Sequence, residues 1–370
     1  MLKFEEDFTQ SANIRVIGIG GGGGNAINRM VMSEIKGVEF ISANTDAQAL
    51  RNSLAGMRIQ LGINLTKGLG VGGNPDIGRR ATEENTETIQ EALVGSDMVF
   101  ITAGLGGGTG TGGAPIIAKI SRELGSLTVG VVTKPFMFEG KVRAQQAEDG
   151  LKMLANEVDT LIVIPNQRLF AIIDESTLSQ DAYKIADDVL RQAVQSISEI
   201  ITSHGMINVD FADVKTIMHG AGQALMGMGM ASGGERTVKA AHAAINCPLL
   251  EDVSISGAKG VLVNITGGRD LTMFEIKEAM DIIHEAVSPD ANVFFGQAFS
   301  DDLEDEVRIT VIATGFSSPR ENIKQILRRE KSYGRKIWEY EDRGIPFVRG
   351  YVENIKIPAF LRKKKKEKKI

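Results

Sequence analysis

The chain has 370 residues, 42% of them hydrophobic and 24% charged, the profile of an ordinary globular protein with room for two domains and appendages. No apolar run approaches the ~20 residues of a membrane span, MLKFEEDFTQSAN lacks an apolar signal-peptide core, and the single Cys247 excludes an internal disulfide, so a cytoplasmic protein is expected. The net charge of −5 hides an imbalance: from Ser317 onward 17 Lys and Arg stand against 7 Asp and Glu, which leaves 25 against 40 in an acidic body that is no partner for nucleic acid.

IRVIGI (14–19) is short, β-branched and followed by glycine, as expected of a buried strand. GGGGG then opens a segment with helical spacing through residue 35. Further strands are expected at 38–46, 96–104, 127–135 and 159–166, with helix-like segments at 76–94 and 113–124 between them. This alternation predicts an α/β unit with a mostly parallel sheet, covered on both faces, whose ligand lies beyond the carboxyl ends of the strands. Those ends carry GGGGGN, ANTD, AGLGGGTGTGG, TKPFMFEG and IPNQ. A long helix over 181–203 follows, with Ala182, Ile185, Val189, Ala193, Ile197 and Ile200 at three- and four-residue steps. A smaller α+β unit comes next, with helices near 213–221, 235–246 and 272–287 and strands at 260–266, 292–299 and 306–314. Thr272 and Glu275 have capping-box spacing, and Met218, Met226, Met228 and Met230 are read as core or interface residues. After Phe316 the chain is charged and only weakly periodic.

Three glycine-rich segments lie in the first 115 residues: 18–25, 67–74 and 103–115. Backbone amides in such turns attract anions, and bare Cα positions let phosphate oxygens approach. None contains GxxxxGK[ST], so a P-loop is excluded. Gly18-x-Gly20-x-x-Gly23, with Asp46 further on, matches a dinucleotide fingerprint and makes a nicotinamide-dependent oxidoreductase one reading. Five consecutive glycines almost guarantee that match, however, and a second, richer loop at the same sheet edge suits a nucleotide with more than two phosphates. The four histidines are scattered without metal-ligand spacing, and Cys247 reads as a small core residue.

GGGTGTG at 106–112 is the signature of the tubulin superfamily, and its surroundings resemble the bacterial-type cell-division GTPases of the FtsZ family. VIGIGGGGGNAINRM (16–30), NTDAQAL (44–50), TKGLGVGGNP (66–75), TKPFMFEG (133–140), NVDFADV (208–214) and IPAFLR (357–362) are also similar to that family. The resemblance implies a tubulin-like fold. A GTP-binding domain (13–178) follows an N-terminal extension (1–12), and a central helix (179–203) joins it to a GTPase-activating α+β domain (204–316). A linker (317–356) and a partner peptide with a basic tail (357–370) complete the chain.

The resemblance further implies that Gly21, Gly22, Gly23, Gly24, Asn25, Gly108, Thr109 and Gly110 wrap the phosphates of GTP or GDP, with Asn44, Gly72, Gly73, Gly104, Gly106 and Gly107 also in the nucleotide site. Asp46 is expected near the γ-phosphate and its Mg²⁺, reached through water. Glu139 and Arg143 are implied at the ribose, Asn166 at the guanine end, and Asp187 in a pair with N1–H and N2–H of the base. By themselves these residues admit plainer readings, an i,i+4 pair for Glu139 and Arg143 and a turn for Asn166.

Asn208, Asp210 and Asp213 are implied to act on the GTP of the next copy in a head-to-tail filament, although two Asp at a helix start also serve simply as capping groups. Ile357 to Arg362 is expected to bind a membrane-tethering division adaptor, and Arg362 to Lys369, with seven positive charges in eight residues, to make weak contact with an anionic membrane. The implied protein is a self-assembling GTPase at the mid-cell division site; a tubulin-like filament for DNA segregation or cell shape is the rival within the same superfamily.

Overall fold

All of IRVIGI except Arg15 is buried, and in a computed structural model of the chain it forms strand β1 (Ile14–Ile19). The structure describes residues 12–316 apart from 172, 174, 175, 203–206, 208, 249–254, 301, 302 and 304. Helix α1 (Gly20–Met32) starts directly from β1 and leads to β2 (Val38–Asn44), α2 (Ala47–Arg51), β3 (Met57–Gln60) and α3 (Ile63–Thr66). Then come α4 (Pro75–Glu83), α5 (Thr86–Leu93), β4 (Met98–Gly104), α6 (Thr109–Glu123), β5 (Leu127–Lys134), α7 (Lys141–Glu157) and β6 (Thr160–Pro165). Neighbouring strands of this half are parallel, in the order β3-β2-β1-β4-β5-β6, so their carboxyl ends lie along one edge.

Alternate strand residues serve opposite faces. Ile14 and Val16 of β1 join Met98 and Phe100 of β4 in one core cluster, while Ile17, Ile19, Val99 and Ile101 join the other with Ile117 and Ala118 of α6. Both faces are therefore dry, and each large apolar side chain buried there contributes about 1.5–3 kcal/mol. The helix expected over 76–94 is two helices. Between them the Asn85 side chain accepts the Gly62 amide at 2.7 Å and turns the chain. Edge strand β3 has no counterpart among the expected elements: it is four residues long with its first two exposed, too short for a period-2 signal.

Helix α8 (Ser179–Thr202) has 24 residues and spans roughly 36 Å at 1.5 Å per residue. Its apolar stripe, from Val189 to Ile200, packs into the first core cluster. After it come α9 (Phe211–Met218), β7 (Gly222–Ser232), α10 (Arg236–Ile245), β8 (Gly260–Gly267), α11 (Met273–Ala286), β9 (Asn292–Phe299) and β10 (Glu306–Thr314). Strand β7 runs parallel to β6 over Thr160–Ile162, then pairs antiparallel with β10 from Leu225 to Ser232. That splice makes one ten-stranded sheet, ending in β7-β10-β8-β9. The described residues up to Phe316 form one compact unit.

Helix α9 ends three residues before the expected 221, where Gly220 and Gly222 take positive φ. The Thr272–Glu275 capping box forms as expected, with the Thr272 hydroxyl accepting the Glu275 amide at 3.3 Å and Glu275 Oε2 accepting the Thr272 amide at 2.8 Å. Met218, Met226 and Cys247 are buried as read, whereas Met230 is exposed.

Candidate functional site

Helices α1 and α6 both begin at the carboxyl ends of adjacent strands, and neither has a side-chain cap. The two starts nearly touch: a Cβ on Gly20 would come within 3.1 Å of the Gly110 amide. Two uncapped helix N-termini thus present free N–H groups and the positive ends of two dipoles side by side, the arrangement that holds an anion such as a phosphate chain.

The glycines here divide by what surrounds them. A Cβ on Gly23 would meet the Thr102 carbonyl at 2.5 Å, and one on Gly108 would meet Val71 Cγ2 at 2.3 Å and the Asn74 amide at 2.8 Å. These two are bare so that backbone can stack on backbone. Gly21, Gly72 and Gly73 are exposed with nothing within 4 Å of an added Cβ, so they leave open space at the rim. Gly22, Gly24 and Asn25 continue the α1 start, and Gly104, Gly106 and Gly107 form the turn into α6, where the Thr111 hydroxyl accepts the Gly106 amide at 2.9 Å. The 67–74 loop lies across this turn: Asn74 Oδ1 caps α4, and Gln146 of α7 donates to the Gly73 carbonyl at 3.3 Å.

Asp46 stands just beyond β2 and caps α2, with Oδ1 accepting the amides of Gln48 at 2.8 Å and Ala49 at 3.2 Å. Buried Asn44 in turn accepts the Asp46 amide at 3.1 Å.

Glu139 accepts the Phe136 amide at 2.9 Å and pairs with Arg143 at 2.8 Å, so the i,i+4 pair is real and sits at the end of β5. Asn166, just past β6, is buried with its Oδ1 lacking a hydrogen-bond partner among the described residues. A buried amide oxygen without a partner costs about 1–3 kcal/mol, which a polar ligand would recover.

Neighbouring carboxylates on α8 have opposite environments. Burial pushes Asp187 up to about 6, with Arg29 of α1 pulling it down and Asp188 adding to the rise. Asp188 is held below the usual range: burial opposes this, but hydrogen bonds and charge from Arg191, with Gln192, outweigh it. One turn before Asp187, Tyr183 meets Phe136 edge-on at 5.4 Å, and Phe136 stacks on Phe138 at 5.0 Å. Burial, with Glu139 nearby, raises the Tyr183 phenol. Tyr183 is absent from the sequence-derived site; its i,i−4 spacing from Asp187 is the signal that marks it.

Asp210 is the exposed N-cap residue of α9, and its carbonyl accepts the amide of half-buried Asp213 at 3.0 Å. Asn208 lies outside the described residues. Asp159, which immediately precedes β6, holds the far end of α9: it meets His219 Nδ1 at 2.9 Å and accepts the Gly220 amide at 3.3 Å. Helix α9 is therefore moored at the amino ends of the strands, and α8 separates it from the glycine edge. From Asp187 to Thr202 alone the helix axis advances roughly 22 Å. Asp210 and Asp213 do not join the other residues in one cavity.

Among the described residues no group of three His, Cys, Asp or Glu is arranged to hold a metal, and no helix is long and apolar enough to cross a membrane. Ile357 to Arg362 and Arg362 to Lys369 lie outside the described residues.

Residues 13–174 match the Tubulin/FtsZ family, GTPase domain, and residues 222–317 match the FtsZ family, C-terminal domain. Among solved structures, an empty FtsZ dimer of M. jannaschii is 46% identical over 83% of this chain and 89% of that one, with a TM-score of 0.80. The fold is shared more widely. The GTPgS-bound protofilament of CetZ2 from Haloferax volcanii is 21% identical over 88% of this chain and 99% of its own, TM-score 0.69. CetZ1 from the same organism, a GDP-bound monomer, is 22% identical over 86% of this chain and 99% of its own, TM-score 0.71.

Proposed function

This chain belongs to the tubulin/FtsZ family of GTPases, and from that premise we propose that its active site is assembled from two copies stacked head to tail. Membership makes it a GTP-binding, GTP-hydrolysing protein of the filament-forming cytoskeletal class.

At the glycine edge, the amides of Gly21 to Asn25 and of Gly108 to Gly110 wrap the phosphates, with Gly104, Gly106 and Gly107 shaping the turn and Gly72 and Gly73 closing from the 67–74 loop. Glu139 and Arg143 meet the ribose, and Asn166 satisfies its buried amide at the guanine end. Asp187 accepts N1–H and N2–H of guanine, an edge adenine lacks, and Tyr183 flanks the base. The donor set suits Mg²⁺ held loosely. Asp46, whose carboxylate is partly committed to capping α2, would hold a magnesium ion through water. When bound, the ion neutralises phosphate charge.

The observation that carries the two-copy reading is the separation of Asp210 and Asp213 from the glycine edge by α8. Phosphoryl transfer needs a positioned water and stabilised charge rather than covalent chemistry. Asn208, Asp210 and Asp213 supply that positioning to the GTP of the next copy, in a heterologous contact that does not close on itself. Apolar side chains stand exposed beside the glycine edge, with Leu69 at 85% and Phe138 at 68%. Ile207, whose carbonyl accepts the Gln297 amide at 3.0 Å, and Phe299 are part-exposed near the acidic segment. Such patches suit a protein contact.

The filament so formed builds the cytokinetic ring, tethered through Ile357 to Arg362 to a membrane-bound adaptor and assisted by the basic run that follows. Asp213→Ala is the test: GTP affinity stays as in the parent while turnover is lost, and parental specific activity shows a concentration threshold. Normal turnover by the variant, or specific activity that is flat to high dilution, overturns the two-copy site.

A further inference from the structure

Thr45 is wholly buried where β2 ends, and its hydroxyl lies 2.7 Å from that of Thr109, the first residue of α6. Its backbone carbonyl accepts the Gly70 amide at 3.3 Å and the Thr66 hydroxyl at 3.3 Å, so the same residue also seats the 67–74 loop. Two hydroxyls share two protons, and one proton occupies the space between the oxygens. The other needs an acceptor, since a buried donor without one is costly.

Thr45 has no solvent, and among the described hydrogen bonds its hydroxyl has no partner besides Thr109. Thr109, 9% exposed against none for Thr45, is the first residue of α6 and lies beside the free amides of that start. The arrangement that strands no proton has Thr45 donating inward-to-outward, to Thr109, and Thr109 donating to whatever oxygen occupies the rim.

We propose that Thr45 is a positioning residue that fixes the Thr109 hydroxyl as a donor to a phosphate oxygen of the bound nucleotide. This rests on the reading of Thr109 as a phosphate contact. An apo hydroxyl already aimed gives up little rotational freedom on binding, and a hydrogen bond to a charged acceptor is among the stronger kind.

The experiment uses the full chain stripped of nucleotide, with Thr45→Val, Thr45→Ser, Thr109→Val and the double Val variant. GTP affinity is read by titration calorimetry and nucleotide-free melting by calorimetric scan. Valine keeps the β-branched shape, and serine keeps the hydroxyl. Thr109→Val weakens GTP binding about tenfold or more, and Thr45→Val weakens it about three- to tenfold by the same bond's lost alignment. Thr45→Ser binds like the parent. The double variant binds no worse than Thr109→Val alone, because Thr45 acts only through Thr109.

Parental affinity in Thr45→Val, additive losses in the double variant, or weak binding by Thr45→Ser without a change in melting overturns the proposal. So does Thr45→Val losing affinity only in step with its melting temperature. Unchanged affinity in Thr109→Val is a separate failure: it removes Thr109 from the phosphate site and takes this inference with it.

Discussion

Arg29 Nε on α1 stands 3.9 Å from Asp187 Oδ2 on α8, which ties the helix that opens the glycine edge to the long helix that follows β6. Even so, burial outweighs Arg29 and leaves the carboxyl raised to about 6. A folded-state value above the unfolded one, about 3.9, stabilises the fold fully below that lower value, and the stabilisation is lost as pH rises through about 6. The proposed contact with guanine N1–H and N2–H needs the carboxylate. GTP affinity therefore falls as pH drops below 6, approaching tenfold per pH unit, while the nucleotide-free protein gains stability over the same interval. Asp187→Asn removes both trends: its GTP binding is weak and flat between pH 5 and 7, and its nucleotide-free melting temperature is no lower than the parent's at pH 7. Parallel pH profiles for parent and variant would place the titration elsewhere.

Gly21 and Gly108 separate ligand space from packing space. An added methyl at Gly21 meets nothing within 4 Å, so Gly21→Ala keeps or gains up to ~1 kcal/mol of stability, as alanine does in a helix. It nonetheless weakens GTP binding, because the methyl fills open space that the proposed site gives to phosphate oxygens. At Gly108 the methyl lies 2.3 Å from Val71 and 2.8 Å from the Asn74 amide, so Gly108→Ala loses about 1–3 kcal/mol to overpacking even without nucleotide. Urea unfolding of both stripped variants, followed by GTP titration, gives opposite patterns. A destabilised Gly21→Ala with normal affinity contradicts the division.

These two glycines also mark where sequence reading stops. GGGTGTG and the alternation of strands with helices are legible because signature, period 2 and period 3.6 are local properties. Which glycine is bare for backbone and which for ligand depends on Val71, Asn74 and Thr102, far away in the chain. Strand β7, GQALMGMGMAS, is invisible to β-propensity, since glycine weakens a strand. Tertiary contact imposes it: β6 pairs with its first three residues and β10 with Leu225 to Ser232, and a Cβ at Gly229 would sit 2.0 Å from the Ala240 carbonyl of α10. Tyr183 and Thr45 are ordinary residues until folding brings Asp187 and Thr109 beside them. Asp213 is legible within NVDFADV and Asp187 only through the family resemblance, and neither shows that the two lie at opposite edges.

Arg236, 5% exposed, holds the start of α11 through Glu275 at 2.8 Å and Asp270 at 2.6 Å, with Asp305 at 3.5 Å. Arg236→Met leaves these acids unanswered. Removing one partner of a buried pair costs about 3–5 kcal/mol; because Asp270 is half exposed and rehydrates, about 2–3 kcal/mol is expected here. The Arg236 hydrogen bond holds Glu275 below the usual range. Stability from that pair is present above the unfolded glutamate value of about 4.3 and is lost as pH falls through the lower folded one. Urea midpoints measured at pH 7 and pH 3.5 show the parent losing stability on acidification by more than the variant does. Equal losses would mean Glu275 is not the responsible group.

On the proposed two-copy site, Asp187→Asn and Asp213→Ala are each expected to be nearly inactive, for opposite reasons: one lacks a firmly bound GTP, the other lacks the acid proposed to position water. In a mixed filament of the proposed kind, an Asp213→Ala copy offers GTP at its glycine edge and an Asp187→Asn copy offers an intact Asp210 and Asp213 from the start of α9. Random copolymerisation puts the productive order at about one interface in four, half the copies times half, since a head-to-tail contact is directional. An equimolar mixture, at a GTP concentration that fills Asp213→Ala but not Asp187→Asn, therefore recovers up to about a quarter of parental turnover, provided co-sedimentation shows both variants in the pellet. Recovery also depends on mixing ratio, with its maximum at equal amounts and decline on either side. A site complete within one copy has no means of complementation, so a co-sedimenting mixture no more active than the sum of its parts would leave the acids of α9 as charges that complement a helix dipole.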